Sequence, residues 1–348
     1  MVIVVTVVVA GCSTMSYYGQ AVMGQSTIIM QSRSVDKLLQ DNDINADLRT
    51  KLELSQEIRQ YAIERLALPD SGSYTKYAQL NRKHVVWNVF ATLAHSVVPQ
   101  TWCYPIVGCV AYKGFFSHAR AIKFARKLEL KGYDVHIAGV DAYSTLGYFD
   151  DPLLSTFIDY PSVDLAGLLF HEMAHQKLYI ADDTVFNESF ASTVAQAGVK
   201  QWLTSTGKDD EFAVYMKRQK LRNETIALMV DGREQLQELF NENLSERNLD
   251  EMKKFIFSQL YTKYIIILSS FGLDSSRVGY RRSEFNNALV ASFGIYNRYK
   301  PVFMDIILKS AGDFAVFYME VMKLAQLPPE QREAYFEHRI QNRIFGAH

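Results

Sequence analysis

The segment His171-Glu172-Met173-Ala174-His175 constrains this chain more than any other. Two imidazoles four positions apart stand one turn above each other on an α-helix, where both rings can address one point. The surroundings ask for the same helix. Leu165, Leu168, Leu169, Met173 and Leu178 supply an apolar body, and neither Pro nor Gly interrupts the motif. Glu188, in Asn187-Glu188-Ser189-Phe190-Ala191, follows His175 by thirteen residues. That gap accommodates a loop from Tyr179 to Phe186, containing Asp182-Asp183, and then a second helix, Asn187 to Thr204, packed back antiparallel. A carboxylate at the start of that helix would face both rings. Two imidazoles and one carboxylate make the open three-ligand set of a catalytic zinc, not the closed set of a structural one. His171, His175 and Glu188 are therefore the expected ligands of a Zn2+ ion. Glu172, one residue round from His171, is the expected general base on the water at the fourth position.

The rest of the chain sets the frame for that hairpin. With 348 residues, 48% of them apolar, it can bury a large core, and a formal net charge of -1 argues against a nucleic-acid partner. No apolar run reaches the roughly 20 residues of a membrane-crossing helix. Residues 16–66 read as two helices broken near Asp41-Asn42-Asp43, and Leu68 to Ser73 is a turn cluster. Strand character falls in the middle: within His84 to Val98, over Val107 to Phe116, over Tyr133 to Val140, and over Ala142 to Phe149. Ser117 to Leu130 is a helix stopped by Gly132. From Val163 onward the pattern is helical: Leu165 to Ala181, Asn187 to Thr204, Phe212 to Phe240, Asp250 to Phe271, Phe285 to Tyr299 and Lys300 to Leu324. The expected fold class is α+β, predominantly α-helical, with a small sheet and a zincin-like catalytic core. The expected organisation is a leader at 1–12, an N-terminal helical region at 13–100 packed on the core, and a catalytic region at 101–348.

The first residues, MVIVVTVVVA followed by Gly11-Cys12-Ser13, have the short apolar run and small-residue ending of a secretory signal. The other two cysteines, Cys103 and Cys109, enclose Tyr-Pro-Ile-Val-Gly. In an oxidising compartment they could form a disulfide. A soft metal pair fits poorly, because five intervening residues are not zinc-ribbon spacing. Two unpaired buried thiols remain the third reading.

A resemblance follows from these residues. The His-Glu-x-x-His motif followed by Asn-Glu-x-Phe-Ala resembles the gluzincin class of zinc peptidases, although the gap to the third ligand is shorter here and the Gly-Ala-Met-Glu-Asn strand of gluzincin aminopeptidases is lacking. The closer likeness is to the bacterial family of predicted aminopeptidases that are lipoproteins. It is carried by Trp102-Cys103-Tyr-Pro, Gly108-Cys109-Val-Ala-Tyr112-Lys-Gly-Phe-Phe116, AYSTLGYFDDPLLST over 142–156, FHEMAHQ over 170–176 and FNESFA over 186–191. The Val-Ala-Gly-Cys ending resembles a lipoprotein signal, which implies lipidation of Cys12, and Ser13 implies outer-membrane sorting. The chain would then be anchored in the bacterial cell envelope, facing the periplasm.

The resemblance implies a zinc metallopeptidase, in the first instance an aminopeptidase with a peptide substrate. An envelope metalloendopeptidase and a non-catalytic binding or assembly lipoprotein are the alternatives. In related zincins a downstream Tyr or His assists the oxyanion, which makes Tyr296, or Tyr299, the candidate. Zincins often hold peptide along an edge strand, which implicates Tyr143, Ser144, Thr145, Leu146 and Gly147. A carboxylate for the substrate amine would come from Asp141, Asp150 or Asp151, and Asp182 or Asp183 could support a ligand histidine. His84, His95, His118 and His136 read as structural.

Overall fold

The computed structural model describes residues 23–104, 108–142, 144–145, 149–276, 279–294 and 297–345. Its architecture is α+β and predominantly helical, with small sheets, as the sequence predicts. Cys12 and the rest of the expected leader lie outside the described residues. Among the described residues, no helix is long and apolar enough to cross a membrane.

The chain divides into two compact units, each assembled from three separate stretches. The first takes Met1–Ser32, Ala78–Tyr143 and Gln219–Gly294. The second takes Arg33–Tyr77, Ser144–Arg218 and Ile295–His348.

In the first unit, helix α1 occupies 23–31. The central strand β3 (Val86–Leu93) pairs antiparallel with β6 (Lys113–Phe115) on one side and β7 (Tyr133–Val140) on the other. Its register sets Trp87 opposite Phe115 and Phe90 opposite His136. Helix α4 (His118–Glu129) lays Ala121 and Ala125 against Trp87, Val89 and Phe115. A hairpin of β4 (Trp102–Tyr104) and β5 (Gly108–Val110) sets Cys103 directly across from Cys109, and the two form a disulfide. A second cluster joins α7 (Asp209–Asn241), α8 (Glu246–Ser270) and α9 (Asn287–Ser292) through Leu228, Met229, Leu236, Phe257, Leu260 and Leu289. A Cβ on Gly232 would sit 2.4 Å from the Leu260 side chain, so the close approach of α7 and α8 depends on glycine. Asn287 ties α9 to the end of β3 by donating to the carbonyls of Leu93 and Ala94.

The second unit carries the motif hairpin. Helix α5 (Ser162–Lys177) packs against α6 (Thr184–Ser205), with α3 (Ala46–Glu64) on α5 and α10 (Lys300–Lys309) on α6. The helix interface is apolar where the pattern demands it: Leu165, Leu169, Phe170 and Met173 from α5, and Phe186, Phe190 and Val194 from α6, are buried. Strands β1 (Arg33–Ser34), β2 (Lys76–Ala78) and β8 (Leu153–Leu154) form a narrow sheet. Helices α2 (Val35–Leu39), α11 (Phe314–Ala325) and α12 (Pro329–Phe345) complete the unit.

Several elements differ from the sequence expectation. The stretch 16–66 breaks not only near residues 41–43 but also at Arg33–Ser34, which leaves the helix to pair with Tyr77 and Lys76. The helix expected over 300–324 is two helices. Ala311 (φ 51°) and Gly312 (φ 78°) turn the chain, and Asp313 caps α11 by accepting from the amides of Ala315 and Val316. The helix expected over 285–299 is cut to Asn287–Ser292. The edge strand expected over Ala142 to Phe149 is not formed by its described residues, 142, 144, 145 and 149. The Asp151 carboxylate accepts from the Thr145 amide and hydroxyl and from the Ser144 hydroxyl, and these side-chain bonds stand where a ladder was expected.

Candidate metal centre

The site is built by one helix hairpin. α5 ends at Lys177, where Leu178 turns extended, and the chain must reverse within six residues before α6 begins. Asp182 does so in the left-handed region (φ 64°), and Asp183 caps α6 by accepting from the Phe186 amide at 3.1 Å. Asn187 then closes the loop from inside. Its side chain accepts from the Ile180 amide at 2.8 Å and donates to the Ile180 carbonyl at 2.7 Å, standing in for a strand partner. With Asn187 buried in that role, the next residue, Glu188, is turned toward α5.

His171, His175 and Glu188 converge. The two Nε2 atoms lie 3.1 Å apart. Glu188 sets Oε2 3.3 Å from His171 Nε2 and Oε1 3.5 Å from His175 Nε2. The three groups therefore turn their lone pairs inward on a common point. A tetrahedral ion with bonds of about 2.0–2.1 Å has ligand–ligand edges of roughly 3.3 Å, which these separations match. The donor set thus fits a first-row divalent ion. His175 is buried, and among the described residues its Nδ1 has no hydrogen-bond partner.

The charges form one coupled group. Burial pushes Glu188 upward, but hydrogen bonds and charge from His171 and His175 outweigh it and hold the carboxyl well below the ordinary carboxylate range. Burial alone would lower His175, yet the hydrogen bond and charge of Glu188, together with the charge of Glu172, raise it. Glu172 is raised, first by burial and then by Glu188 and Asp151, against the opposing pull of the two imidazoles. A carboxylate lifted in this way beside a cation site is suited to take up a proton and release it again.

Sequence reasoning missed the wall on the Glu172 side. Gln176 lies one turn beyond Glu172 on α5 and reaches the loop that follows α3. Its Oε1 accepts from Ser71 Oγ at 2.8 Å, and its Nε2 donates to Ser73 Oγ at 3.1 Å. Ser73 Oγ also accepts from the Asp151 amide, and the Asp151 carbonyl accepts from the Tyr74 amide at 2.6 Å. The loop 70–75 and Asp151 are thus stitched to each other, and the loop to the helix of Glu172. Arg59 holds the first of them from α3, donating to the Ser73 carbonyl, the Ser71 carbonyl and Asp70. A Cβ on Gly72 would sit 2.4 Å from the exposed Asp150 carboxylate, which would have to swing aside. Tyr74 is buried in a left-handed conformation (φ 64°), and burial and the charges of Glu172 and Asp151 keep its phenol protonated. A non-glycine residue held in that region costs on the order of 1 kcal/mol or more, and such strain gathers at functional sites. The turn cluster Leu68 to Ser73 was visible in the sequence; its partner Gln176, a hundred residues later, carried no signal beyond its place one turn after Glu172.

The remaining site expectations divide. Tyr296, Tyr143, Leu146 and Gly147 lie outside the described residues. Ser144 and Thr145 are engaged by Asp151, as above. Tyr299 is core: its ring stacks on Phe336 with centroids 4.3 Å apart, and its amide donates to Ser189 Oγ. Asp183 supports no histidine, because its carboxylate is taken by the cap and by Arg332 Nε at 2.7 Å. In the first unit Asp141 bonds His84, His95 bonds Asp250, His118 stacks on Trp87, and His136 is buried beside Phe90 and Tyr280.

Comparison with known proteins bears on this geometry. A family profile described as "Putative aminopeptidase" matches residues 16–336. No curated protein and no solved structure matches the chain.

Proposed function

From the premise that the chain belongs to that aminopeptidase family over nearly its full length, we propose that it is a zinc-dependent peptide hydrolase acting from the free amino end of its substrate. The observation that carries the reading is the convergence of two imidazole nitrogens and a carboxylate at tetrahedral spacing, with a second carboxylate, Glu172, adjoining on the same helix. His171, His175 and Glu188 would hold the ion. Zinc bound there supplies Lewis acidity, which acidifies a water and polarises a carbonyl. Glu172 takes the proton from the attacking water and delivers it to the leaving amine nitrogen. Ser71 and Ser73, the latter bonded to Asp151, are tied to Gln176 one turn from Glu172 and would steady that end of the helix during the reaction.

The test combines metal content with turnover. The purified chain should hold about one zinc per molecule. It should hydrolyse an aminoacyl amide and lose that rate on chelation. Glu172→Gln should keep the zinc and lower kcat by at least about a hundredfold. Equal cleavage of the N-acetylated substrate would remove the aminopeptidase assignment and leave an endopeptidase. Wild-type turnover in Glu172→Gln would remove the mechanism.

The proposal extends to location. The run MVIVVTVVVA with Gly11-Cys12-Ser13 supports a lipid anchor on Cys12 in the bacterial envelope. Metabolic labelling with a fatty acid, lost in Cys12→Ser, tests it.

A further inference from the structure

Helix α4 and the turn after it carry a strongly one-signed stretch. From His118 to Lys131 there are five basic residues, Arg120, Lys123, Arg126, Lys127 and Lys131, and one acidic residue, Glu129, in a protein whose formal net charge is -1. None of the five pairs with an acid among the described residues. All five are exposed, because the opposite face of α4 is spent on the sheet through Ala121 and Ala125, with Phe124 and Leu128 packed alongside. The basic residues are also ordered. Lys123 and Lys127 stand four apart on the helix, and Lys131 follows in the turn just past its end. Ile122, Arg126 and Leu130 form the adjoining row, and its two apolar members stand 39% and 89% exposed.

We propose that this face of α4 is a docking surface for an anionic lipid bilayer. Lysines in register deliver charge to headgroup phosphates, while Ile122 and Leu130 reach between them into the acyl boundary. A bilayer fits better than an acidic protein, because lysine is depleted in protein–protein interfaces and a single helix lying on a sheet offers no pocket for a side-chain anchor. A nucleic acid fits worse still, since a chain of net negative charge offers no wider basic surface to follow its backbone. The proposal stands whatever the metal centre hydrolyses.

The test uses the full chain carrying Cys12→Ser, so that no acyl anchor masks the contact. The protein is sedimented with vesicles of phosphatidylcholine, and with vesicles in which part of that lipid is replaced by phosphatidylglycerol. Retention on the anionic vesicles alone, falling steeply with added salt, is the expected result. Lys123→Glu with Lys127→Glu and Lys131→Glu should weaken it by more than about tenfold, and Leu130→Ser should weaken it without changing the salt slope. If the triple reversal does not fold, the neutral set Lys123→Gln, Lys127→Gln and Lys131→Gln carries the same test. Equal retention on both vesicle types, no retention on either, or unchanged retention in the lysine variants would each overturn the proposal.

Discussion

Gln176 shows how much one side chain can organise. It is held from both ends, accepting from Ser71 and donating to Ser73, and through them it keeps Tyr74 and Asp151 against the helix of Glu172. Gln176→Leu keeps the bulk and loses both bonds. At about 0.5–1.5 kcal/mol each, the loss in stability should be roughly 1–3 kcal/mol. Turnover should fall further than stability does, with zinc content unchanged. A variant with lower zinc occupancy and normal turnover per bound zinc would show that Gln176 serves the ligands rather than the base. At this scale the cluster of His171, His175 and Glu188 was legible, because the three are separated by local spacings along one hairpin. Gln176 was not, because its partners come from a loop a hundred residues earlier. The strand expected at Ser144 and Thr145 failed for a related reason: their alternating, β-prone neighbourhood spoke for a ladder, while Asp151, a few residues on, supplied competing hydrogen bonds.

At the scale of elements, the ligand-bearing helix α6 is anchored at its first turn by α12. Arg332 is buried. It donates to Asp183 at 2.7 Å and to the carbonyls of Leu327 and Ala325, and it lies over the Phe186 ring. Arg332→Met should strip Asp183 of its charge partner while the cap to Phe186 persists. Breaking a buried pair of this kind costs about 3–5 kcal/mol, with the lower end expected here because Asp183 retains some contact with solvent. Urea denaturation of the variant checks it, and a midpoint unchanged from wild type would mean that α12 does not hold α6. Helices with strong apolar stripes were legible to within a turn, α7 and α8 among them. The breaks between α10 and α11, and before α2, were harder to read. Each is decided by a short polar signal, such as Gly312-Asp313, inside a sequence that otherwise continues the helical pattern.

At the scale of the molecule, stability should depend on acidity through His136 in the first unit. Burial, only partly offset by the charge of Glu284, lowers its pKa from 6.5 to about 4. The folded state therefore keeps the ring neutral where the unfolded chain would already protonate it. The stabilisation is complete above pH 6.5, is lost progressively as pH falls from 6.5 to 4, and changes no further below that. The size of the loss is roughly 3 kcal/mol. His136→Leu should flatten this part of the curve in chemical denaturation read at a series of pH values, and a slope identical to wild type would assign the dependence to other groups. The α+β, helix-rich class was legible from the strand-prone middle and the helical remainder. The interleaving of the two units was not, because no change of composition marks the places where the chain leaves one and enters the other. That interleaving has a consequence for how the protein is made. The unit bearing His171, His175 and Glu188 is completed by Ile295–His348, which leaves the ribosome well after the motif hairpin. A product terminated before that stretch would expose an unfinished core to quality-control proteases, so the candidate metal centre would be complete only after Ile295–His348 has been made.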